Sequence, residues 1–236
     1  MSNNVKVMSQ KRADNYYEML YRFSQVIKKL KLTYWLEGGT LIGAIREGAL
    51  LSWDKDVDVS MLERDRKILW ENKKLIKKYG LKPGYTDQIY RIDFKNVYMD
   101  IFSYEFKNGI YQEIHKFNRY RWPQSYYKAS HLFPLKTAKF GPLIQPVPNK
   151  SEDFLKQAYG DWHIIPKMYR HLKVYKINSS NELKNKIKNN KIIIEENLSN
   201  TSKKCKSSKI YDYILCLLPL LIFSILLRKY KDKIIV

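Results

Sequence analysis

Two aspartates, Asp56 and Asp58, lie two residues apart in the segment WDKDVDVSM. Side chains at this spacing leave the same face of a β-strand, and Val57 and Val59 alternate with them as a half-buried strand requires. Carboxylates this close repel one another unless a cation offsets their charge, and Mg²⁺ takes one or two carboxylates together with water and phosphate oxygens. Because Asp-x-Asp is also common at strand ends that face water, the pattern becomes informative only with further residues.

A third carboxylate, Asp100, lies in the apolar segment VYMDIF. A solitary charge inside an apolar strand needs a partner or a function. If this strand lies beside the one that carries Asp56 and Asp58, the three carboxylates form one site. We predict all three to be metal-binding and catalytic, with Mg²⁺ or Mn²⁺ as the cofactor.

A glycine pair precedes these aspartates. Gly38-Gly39-Thr40 follows a short β-prone segment and leads into a helix, for which Thr40 is the predicted N-cap. Glycines let the backbone approach a phosphate closely, and the N–H groups of a helix N-terminus point at it. The order of strand, glycine pair, short helix, Asp-x-Asp strand and later aspartate strand is typical of the nucleotidyltransferase fold.

The elements that must position these residues follow from apolar periodicity and from turn residues. We predict helices over residues 11–31, 41–47, 63–79 and 152–159, and strands over residues 32–36, 56–61, 91–94 and 97–102. A break is predicted at residues 146–148, and residues 105–140 give no clear pattern. The predicted fold class is α+β, a nucleotidyltransferase-like mixed sheet flanked by helices, with a C-terminal basic and apolar segment that associates with a membrane.

The segment LEGGTLIGAIREGALLSWDKDVDVSM closely resembles the LicD family, which includes phosphorylcholine transferases and the fukutin-related proteins. YMDIFSYE resembles the strand that carries the family's third carboxylate, and FPLKTAKFGPLIQPVPNKSEDFLKQAYGDWHIIP resembles its downstream block. The resemblance covers roughly residues 14–170.

Site residues are carried over from this resemblance one by one. The metal carboxylates correspond to Asp56, Asp58 and Asp100, and the substrate- and phosphate-binding positions correspond to Gly38, Gly39, Thr40, Arg46 and Asp54. Of these, Arg46 is a basic position suited to a bidentate phosphate contact. The chain departs from the family pattern in having Ser52 and Lys55 in place of Pro and Asp, and Glu47 in place of His. These changes keep the metal carboxylates and affect the substrate contacts near Glu47.

The activity that the resemblance implies is transfer of a phospho-alcohol group from a CDP-activated donor to a hydroxyl of a glycan or of its lipid-linked precursor, with release of CMP. Asp100 is the predicted acceptor of the hydroxyl proton. Phosphocholine, phosphoethanolamine, phosphoribitol and phosphoglycerol all remain open as the transferred group. Two alternatives also remain: a nucleotidyltransferase that moves a nucleotide to an RNA, protein or small molecule, and a non-catalytic membrane-attached scaffold.

Composition bounds these functions. The chain has 236 residues and a formal net charge of +21, so its surface attracts polyanions. No RNA-binding signature accompanies the charge, and no nucleic-acid partner is expected. Four residues in the unassigned region are candidates to bind a base or a sugar, namely Arg119, Arg121, Tyr126 and Tyr127. The two cysteines, Cys205 and Cys216, do not form a disulfide framework.

The predicted domain organisation is a catalytic domain over residues 1–177, a Lys/Asn-rich linker over 178–210 and an apolar tail over 211–236. The apolar run of residues 213–227 contains Pro219 and is shorter than the roughly 20 residues of a bilayer crossing. Because Lys and Arg follow it, residues 213–233 are predicted to contact the membrane surface. We expect no signal peptide and a peripheral or monotopic place on the cytoplasmic face, and the Lys, Asn and Ile content favours a bacterial source.

Overall fold

The structure is a computed structural model that describes residues 7–86, 89–172 and 176–189. Its elements, in chain order, are α1 (Gln10–Leu30), β1 (Trp35–Leu36), α2 (Gly38–Ile42), a π-helical turn (Gly43–Glu47), β2 (Leu50–Leu51), β3 (Val57–Leu62), α3 (Glu63–Glu71), α4 (Lys73–Lys78), β4 (Lys82–Thr86), β5 (Ile89–Phe94), β6 (Val97–Lys107), β7 (Ile110–Glu113), α5 (Lys116–Arg121), β8 (Tyr126–Lys128), α6 (Ala129–Leu132), β9 (Lys136–Phe140), β10 (Leu143–Val147), α7 (Ser151–Tyr159), a 3₁₀ turn (Lys167–Tyr169) and β11 (Lys176–Ile177). A last described helix, α8, spans residues 181–189.

A mixed sheet forms the centre of the molecule, with strand order β1-β3-β6-β5-β4. The long strand β6 pairs through its first part with β3 and β5 and through its last part with β7, which in turn pairs with β8. β3 and β6 run parallel, and the other pairs in this sheet are antiparallel. The prediction of an α+β fold with a mixed sheet flanked by helices is therefore confirmed.

Helix α1 packs its apolar face against β6. The helix begins after Ser9, whose side chain accepts a hydrogen bond from the Arg12 N–H, and ends at Lys31 in the left-handed conformation. It buries a row of large side chains at helical spacing, namely Tyr16, Leu20, Phe23 and Ile27. Full burial of such a side chain contributes about 1.5–3 kcal/mol, so this face holds α1 on the sheet. The predicted helix over residues 11–31 is confirmed.

The structure corrects two local predictions. Thr40 does not cap the helix, because α2 already begins at Gly38 with Glu37 as the capping position. Pro146 does not break the chain but lies within β10, which pairs with β9. A proline is tolerated there because a strand pair of this kind leaves one edge without ladder hydrogen bonds. Residues 105–140, which gave no clear pattern, contain several short elements.

The first residues of the predicted linker lie against α1. The Ser180 N–H donates to Asp14 Oδ1 over 2.9 Å, and Gln10 Nε2 donates to the Asn178 carbonyl over 2.7 Å. Residues 190–210 of the predicted linker and the predicted membrane tail of residues 211–236 lie outside the described residues. Of the helices in the described part of the chain, none has the length and apolar character of a membrane span.

Candidate active site

The three predicted carboxylates come together at the β3–β6 pair. Asp58 on β3 stands directly beside Asp100 on β6 in the parallel register, and Asp56 immediately precedes β3. One carboxylate oxygen from each of the three lies within 4.8 Å of the others. We call these three residues the carboxylate triad.

Burial, followed by repulsion from neighbouring carboxylates, raises the pKa values of Asp54, Asp56 and Asp58. Burial, with the Asp56 charge as the next cause, raises the pKa of Asp58 well above its ordinary value. Burial and the Asp100 carboxylate raise the pKa of Asp56. Burial, with the Asp56 charge as the next cause, raises the pKa of the neighbouring Asp54 to about 7. The site therefore concentrates negative charge that a bound cation would stabilise.

The donor set fits a hard divalent cation. Three carboxylate oxygens are the ligands that Mg²⁺ and Mn²⁺ prefer, whereas zinc sites usually draw on His or Cys. Among the described residues, the triad is the one group of three or more Asp, Glu, His or Cys side chains with ligand atoms this close together. Asp56, Asp58 and Asp100 are thus the residues that would hold the metal.

The glycine pair lies against the acidic side chains. Gly38 has a φ of +57°, and a Cβ there would meet Asp58 Oδ2 at 2.6 Å. A Cβ on Gly39 would meet Asp54 Oδ2 at 2.5 Å. Only residues without side chains let this turn approach the carboxylates so closely. The predicted role of the pair beside a phosphate is therefore compatible with where the structure places it.

Thr40 and Glu37 anchor the turn to the sheet rather than line the triad. Thr40 Oγ1 accepts a hydrogen bond from the Asp58 N–H over 2.9 Å, and the Glu37 N–H donates to the Asp58 carbonyl over 3.1 Å. The buried Glu37 carboxylate accepts from Ser60 Oγ at 2.8 Å and from the Tyr127 hydroxyl at 2.6 Å. The sequence prediction missed Glu37, because its partners are distant in sequence.

Arg91 is a second residue that the sequence prediction missed. It pairs with Asp100 across β5 and β6, with Nε 2.8 Å from Oδ1 and Nη2 3.3 Å from Oδ2. Its guanidinium also lies 3.9 Å from the centre of the Tyr98 ring. A hairpin formed by the predicted strands over residues 91–94 and 97–102, with residues 95 and 96 as its turn, pairs positions 91 and 100, so this contact had a signal in the sequence.

Arg46 lies at the other side of the site, and two of its three side-chain nitrogens donate hydrogen bonds. Its Nε donates to Glu47 Oε1 over 3.0 Å, and its Nη1 donates to the Trp162 carbonyl over 2.9 Å. Nη2 is buried and has no hydrogen-bond partner among the described residues. The predicted phosphate contact of Arg46 stays a prediction, and Glu47, a departure from the family pattern, is the partner that orients it.

Two cavities open beside the acidic residues. A partly open cavity of about 110 Å³ touches Gly38, Gly39 and Asp58. A wider groove of about 590 Å³ touches Gly39, Asp54 and Asp56, and it also reaches Arg46. Gly39 and Tyr159 border both spaces. The acidic residues therefore border two neighbouring spaces.

A mixed sheet that brings three carboxylates together beside a glycine turn defines a nucleotidyltransferase-type domain. The chain belongs to the LicD family, since the family model described as "LicD/FKTN/FKRP, nucleotidyltransferase domain" matches residues 31–150. Membership in this family, predicted from the sequence, is thus confirmed.

Three relatives show how far the similarity extends. The uncharacterized protein RP689 of Rickettsia prowazekii is 26% identical over 155 residues, which cover 66% of this chain and 58% of the relative. Human ribitol 5-phosphate transferase FKRP is 23% identical over 156 residues, covering 57% of this chain and 29% of that protein. Lipopolysaccharide cholinephosphotransferase LicD of Haemophilus influenzae is 49% identical over 39 residues, covering 16% and 15%. The aligned segments thus span between 15% and 58% of the length of these relatives.

Proposed function

We propose that this protein transfers a phospho-alcohol group from a CDP-activated donor to a hydroxyl of a glycan or of its lipid-linked precursor, and that it releases CMP. The observation that carries the proposal is the carboxylate triad, packed against the Gly38-Gly39 turn between two cavities. Two relatives support the reaction class, because one is named a ribitol 5-phosphate transferase and the other a cholinephosphotransferase.

In the proposed reaction, the acceptor hydroxyl oxygen forms a bond to the phosphorus that carries the alcohol. The bond from that phosphorus to the oxygen it shares with CMP breaks, CMP leaves with the bond's electrons, and the hydroxyl proton passes to a base. Such transfers depend mainly on positioning and on neutralising phosphate charge. A Mg²⁺ or Mn²⁺ ion held by the triad supplies that neutralisation when bound.

The protein's own groups divide the remaining work. Gly38 and Gly39 leave room for a phosphate beside the triad, and Arg91 provides a cation at Asp100. Asp100 is the proposed base, and both of its oxygens accept hydrogen bonds from Arg91. Each of these oxygens keeps a second lone pair that can accept the hydroxyl proton.

The acceptor and the membrane contact belong to the same proposal. A lipid-linked glycan at the cytoplasmic face would place the hydroxyl near a protein whose residues 213–233 bind the membrane surface. The basic and apolar character of those residues supports this arrangement. No nucleic-acid partner is proposed.

The test is an assay of the purified chain with Mg²⁺, a detergent extract of acceptor glycolipid and a panel of CDP-alcohols, with CMP measured by chromatography. We expect CMP from one donor, dependent on the acceptor and lost with EDTA. If every CDP-alcohol is inert and a nucleoside triphosphate yields pyrophosphate instead, the protein is a nucleotidyltransferase and the proposal is wrong.

A further inference from the structure

Helix α5 (Lys116–Arg121) and the residue after it present three large aromatic side chains to solvent. Tyr120 is 86% exposed, Phe117 53% and Trp122 38%. Single exposed apolar side chains are normal on a protein surface, but three within six residues form one patch. Phe117 and Tyr120 are three residues apart on the helix, so they lie on the same side of it. We call residues 116, 117 and 120–122 the α5 surface.

The charged residues of the α5 surface are all basic. Lys116 and Arg121 are exposed, and in the described part of the chain neither forms an ion pair. Arg121 Cζ lies 4.8 Å from the centre of the Trp122 ring, which places its charge beside an aromatic face. Between Glu113 and Glu152 the sequence contains no Asp or Glu, whereas Lys and Arg recur throughout. The surface therefore attracts an anionic partner.

The inward side of α5 fixes the helix on the domain beside the acidic site. Asn118 is 4% exposed, and the Trp122 ring packs edge-on against Phe102 with 6.1 Å between the ring centres. Asn118 and Trp122 also border the cavity of about 110 Å³ that touches Asp58. The same short helix thus borders this cavity on one side and faces solvent on the other.

The shape and size of the α5 surface favour a membrane over other anionic partners. A small-molecule site encloses most of its ligand in a concave pocket, whereas Tyr120 projects into solvent. A specific protein interface takes about 20–30 residues on each side, and α5 has six. Short segments do bind bilayers when Trp, Tyr or Phe enter the headgroup boundary and Lys or Arg meet anionic headgroups.

We propose that the α5 surface docks on an anionic lipid bilayer, with its aromatic side chains at the headgroup boundary and with Lys116 and Arg121 against lipid phosphates. This contact is separate from the one predicted for residues 213–233, and it does not depend on the proposed phosphotransfer. Two contacts on one chain bind a surface more tightly than either alone, because the second forms within the molecule. Docking through α5 would place the bilayer beside the cavity that touches Asp58.

Hydrogen–deuterium exchange of the full chain, with and without vesicles of phosphatidylcholine and phosphatidylglycerol, tests the proposal without a substitution. We expect the backbone amides of residues 116–122 to exchange at least about threefold more slowly on these vesicles, because the bilayer excludes water from them. On phosphatidylcholine alone the slowing should be smaller. The first turn of α7 is the internal control: Glu152 and Asp153 are exposed there, and its exchange should not change.

Co-sedimentation of full-chain variants with the same vesicles gives a second measurement. Replacing Phe117 and Tyr120 together with Ser should weaken binding by at least about fivefold, because two aromatic side chains no longer enter the boundary. Both positions are exposed, so the fold should be retained. Ile144→Ser, at a position that is 67% exposed and outside the α5 surface, is the matched control and should change binding by less than about twofold.

Absence of vesicle binding would overturn the proposal. Binding without slower exchange at α5 would overturn it as well and leave residues 213–233 as the contact, and so would equal weakening by the double variant and by Ile144→Ser. Equal slowing on neutral vesicles would contradict the assignment to an anionic surface. Slower exchange at α5 when the protein is concentrated without lipid would assign the surface to a second copy of the chain instead.

The proposed function fails separately. A chain that docks through α5 but releases no CMP from any CDP-alcohol would keep this surface and lose that reaction. A chain that releases CMP but shows no slower exchange at α5 on vesicles would do the reverse.

Discussion

Asp58 shows at the scale of single residues how the site stores unfavourable electrostatics. Its pKa is raised well above the ordinary value by burial first and by Asp56 second, so the ionised side chain costs stability in the metal-free fold. Its backbone is nevertheless fixed on both sides, because the N–H donates to Thr40 and the carbonyl accepts from Glu37. The fold therefore fixes the Asp58 carboxylate in a position where a bound cation would offset its cost.

Replacing Asp58 with Asn is therefore expected to separate function from stability. We predict loss of turnover by at least about 10²–10³-fold, as for removal of one preorganised charge-stabilising group. In EDTA the variant should melt above the wild type, by about 2–4 °C for each kcal/mol regained. Mg²⁺ should stabilise the wild type and affect the variant little. Asp153→Asn, at an exposed site on α7, is the control. Wild-type turnover in Asp58→Asn would refute the metal assignment.

Glu113 carries a second residue-scale prediction. Burial raises its pKa to about 7 from 4.5, so the folded state holds the proton more tightly than the unfolded state. Its contribution to stability is then fully present below about pH 4.5 and is lost as the pH rises through about 7. Glu113→Gln has no carboxyl group to titrate at this position. At pH 8 its free energy of unfolding in urea should exceed that of the wild type by about 1–3 kcal/mol, and at pH 4 the difference should be smaller.

Urea unfolding at the two pH values measures this difference directly. Because every other titrating group is common to both proteins, the change in the difference between them belongs to Glu113. A variant that is less stable than the wild type at pH 8 would show that the Glu113 carboxylate is stabilised in the fold, contrary to its burial.

At the scale of elements, the turn before α2 sets the distance between backbone and carboxylates. Gly38→Ala would place a Cβ 2.6 Å from Asp58 Oδ2 at a φ of +57°. Gly109→Ala has a similar backbone cost, with a φ of +81°, but meets nothing within 4 Å. We expect Gly38→Ala to reduce turnover by at least about tenfold. It should also lower the free energy of unfolding by about 1–3 kcal/mol relative to an alanine substitution at an unstrained position, whereas Gly109→Ala should lower stability only.

Kinetic assays and thermal unfolding of the two alanine variants provide the comparison. Equal turnover in both would mean that the close approach of Gly38 to Asp58 has no part in the reaction. Reduced turnover in Gly109→Ala would mean that backbone strain far from the triad is sufficient to inactivate the protein.

Elements with a strong local pattern could be predicted, and those that depend on distant partners could not. Alternation around Asp56 and Asp58 predicted β3, and the apolar spacing from Tyr16 to Ile27 predicted α1. The short elements of residues 105–140 gave no period, because they are held by pairing and packing with one another and with β6, β10 and α7 rather than by their own sequence. The hydrogen bonds of Glu37 join residues 23 and 90 positions away, which no local pattern reveals.

The triad illustrates the same division within the site. Two of its members were visible as a motif, and the third was inferred from a lone charge in an apolar strand. Their adjacency depends on the parallel pairing of β3 with β6, which sequence spacing alone does not specify. The Arg91–Asp100 pair follows from hairpin symmetry, but the two hydrogen bonds between the side chains became visible only in the structure.

At the scale of the whole molecule, the net charge of +21 and the apolar run of residues 213–227 together predict binding to a membrane surface. We expect the full chain to co-sediment with vesicles that contain anionic lipid, and more weakly with neutral vesicles. Each basic residue near such a surface contributes about 1 kcal/mol, and salt screens that contribution. Replacing Leu220 and Leu221 with Ser should weaken binding at high salt more than at low salt, because apolar insertion is not screened. Absence of binding to either vesicle would refute the membrane contact.

The proposed phosphotransfer is tested most directly by CMP release from the panel of CDP-alcohols, with acceptor glycolipid and Mg²⁺, by the wild-type chain and by Asp58→Asn side by side. Acceptor-dependent CMP from one donor with the wild type, and none with Asp58→Asn or with EDTA, is the predicted result. CMP release that persists in Asp58→Asn, or pyrophosphate from a nucleoside triphosphate with no CMP from any donor, would contradict it.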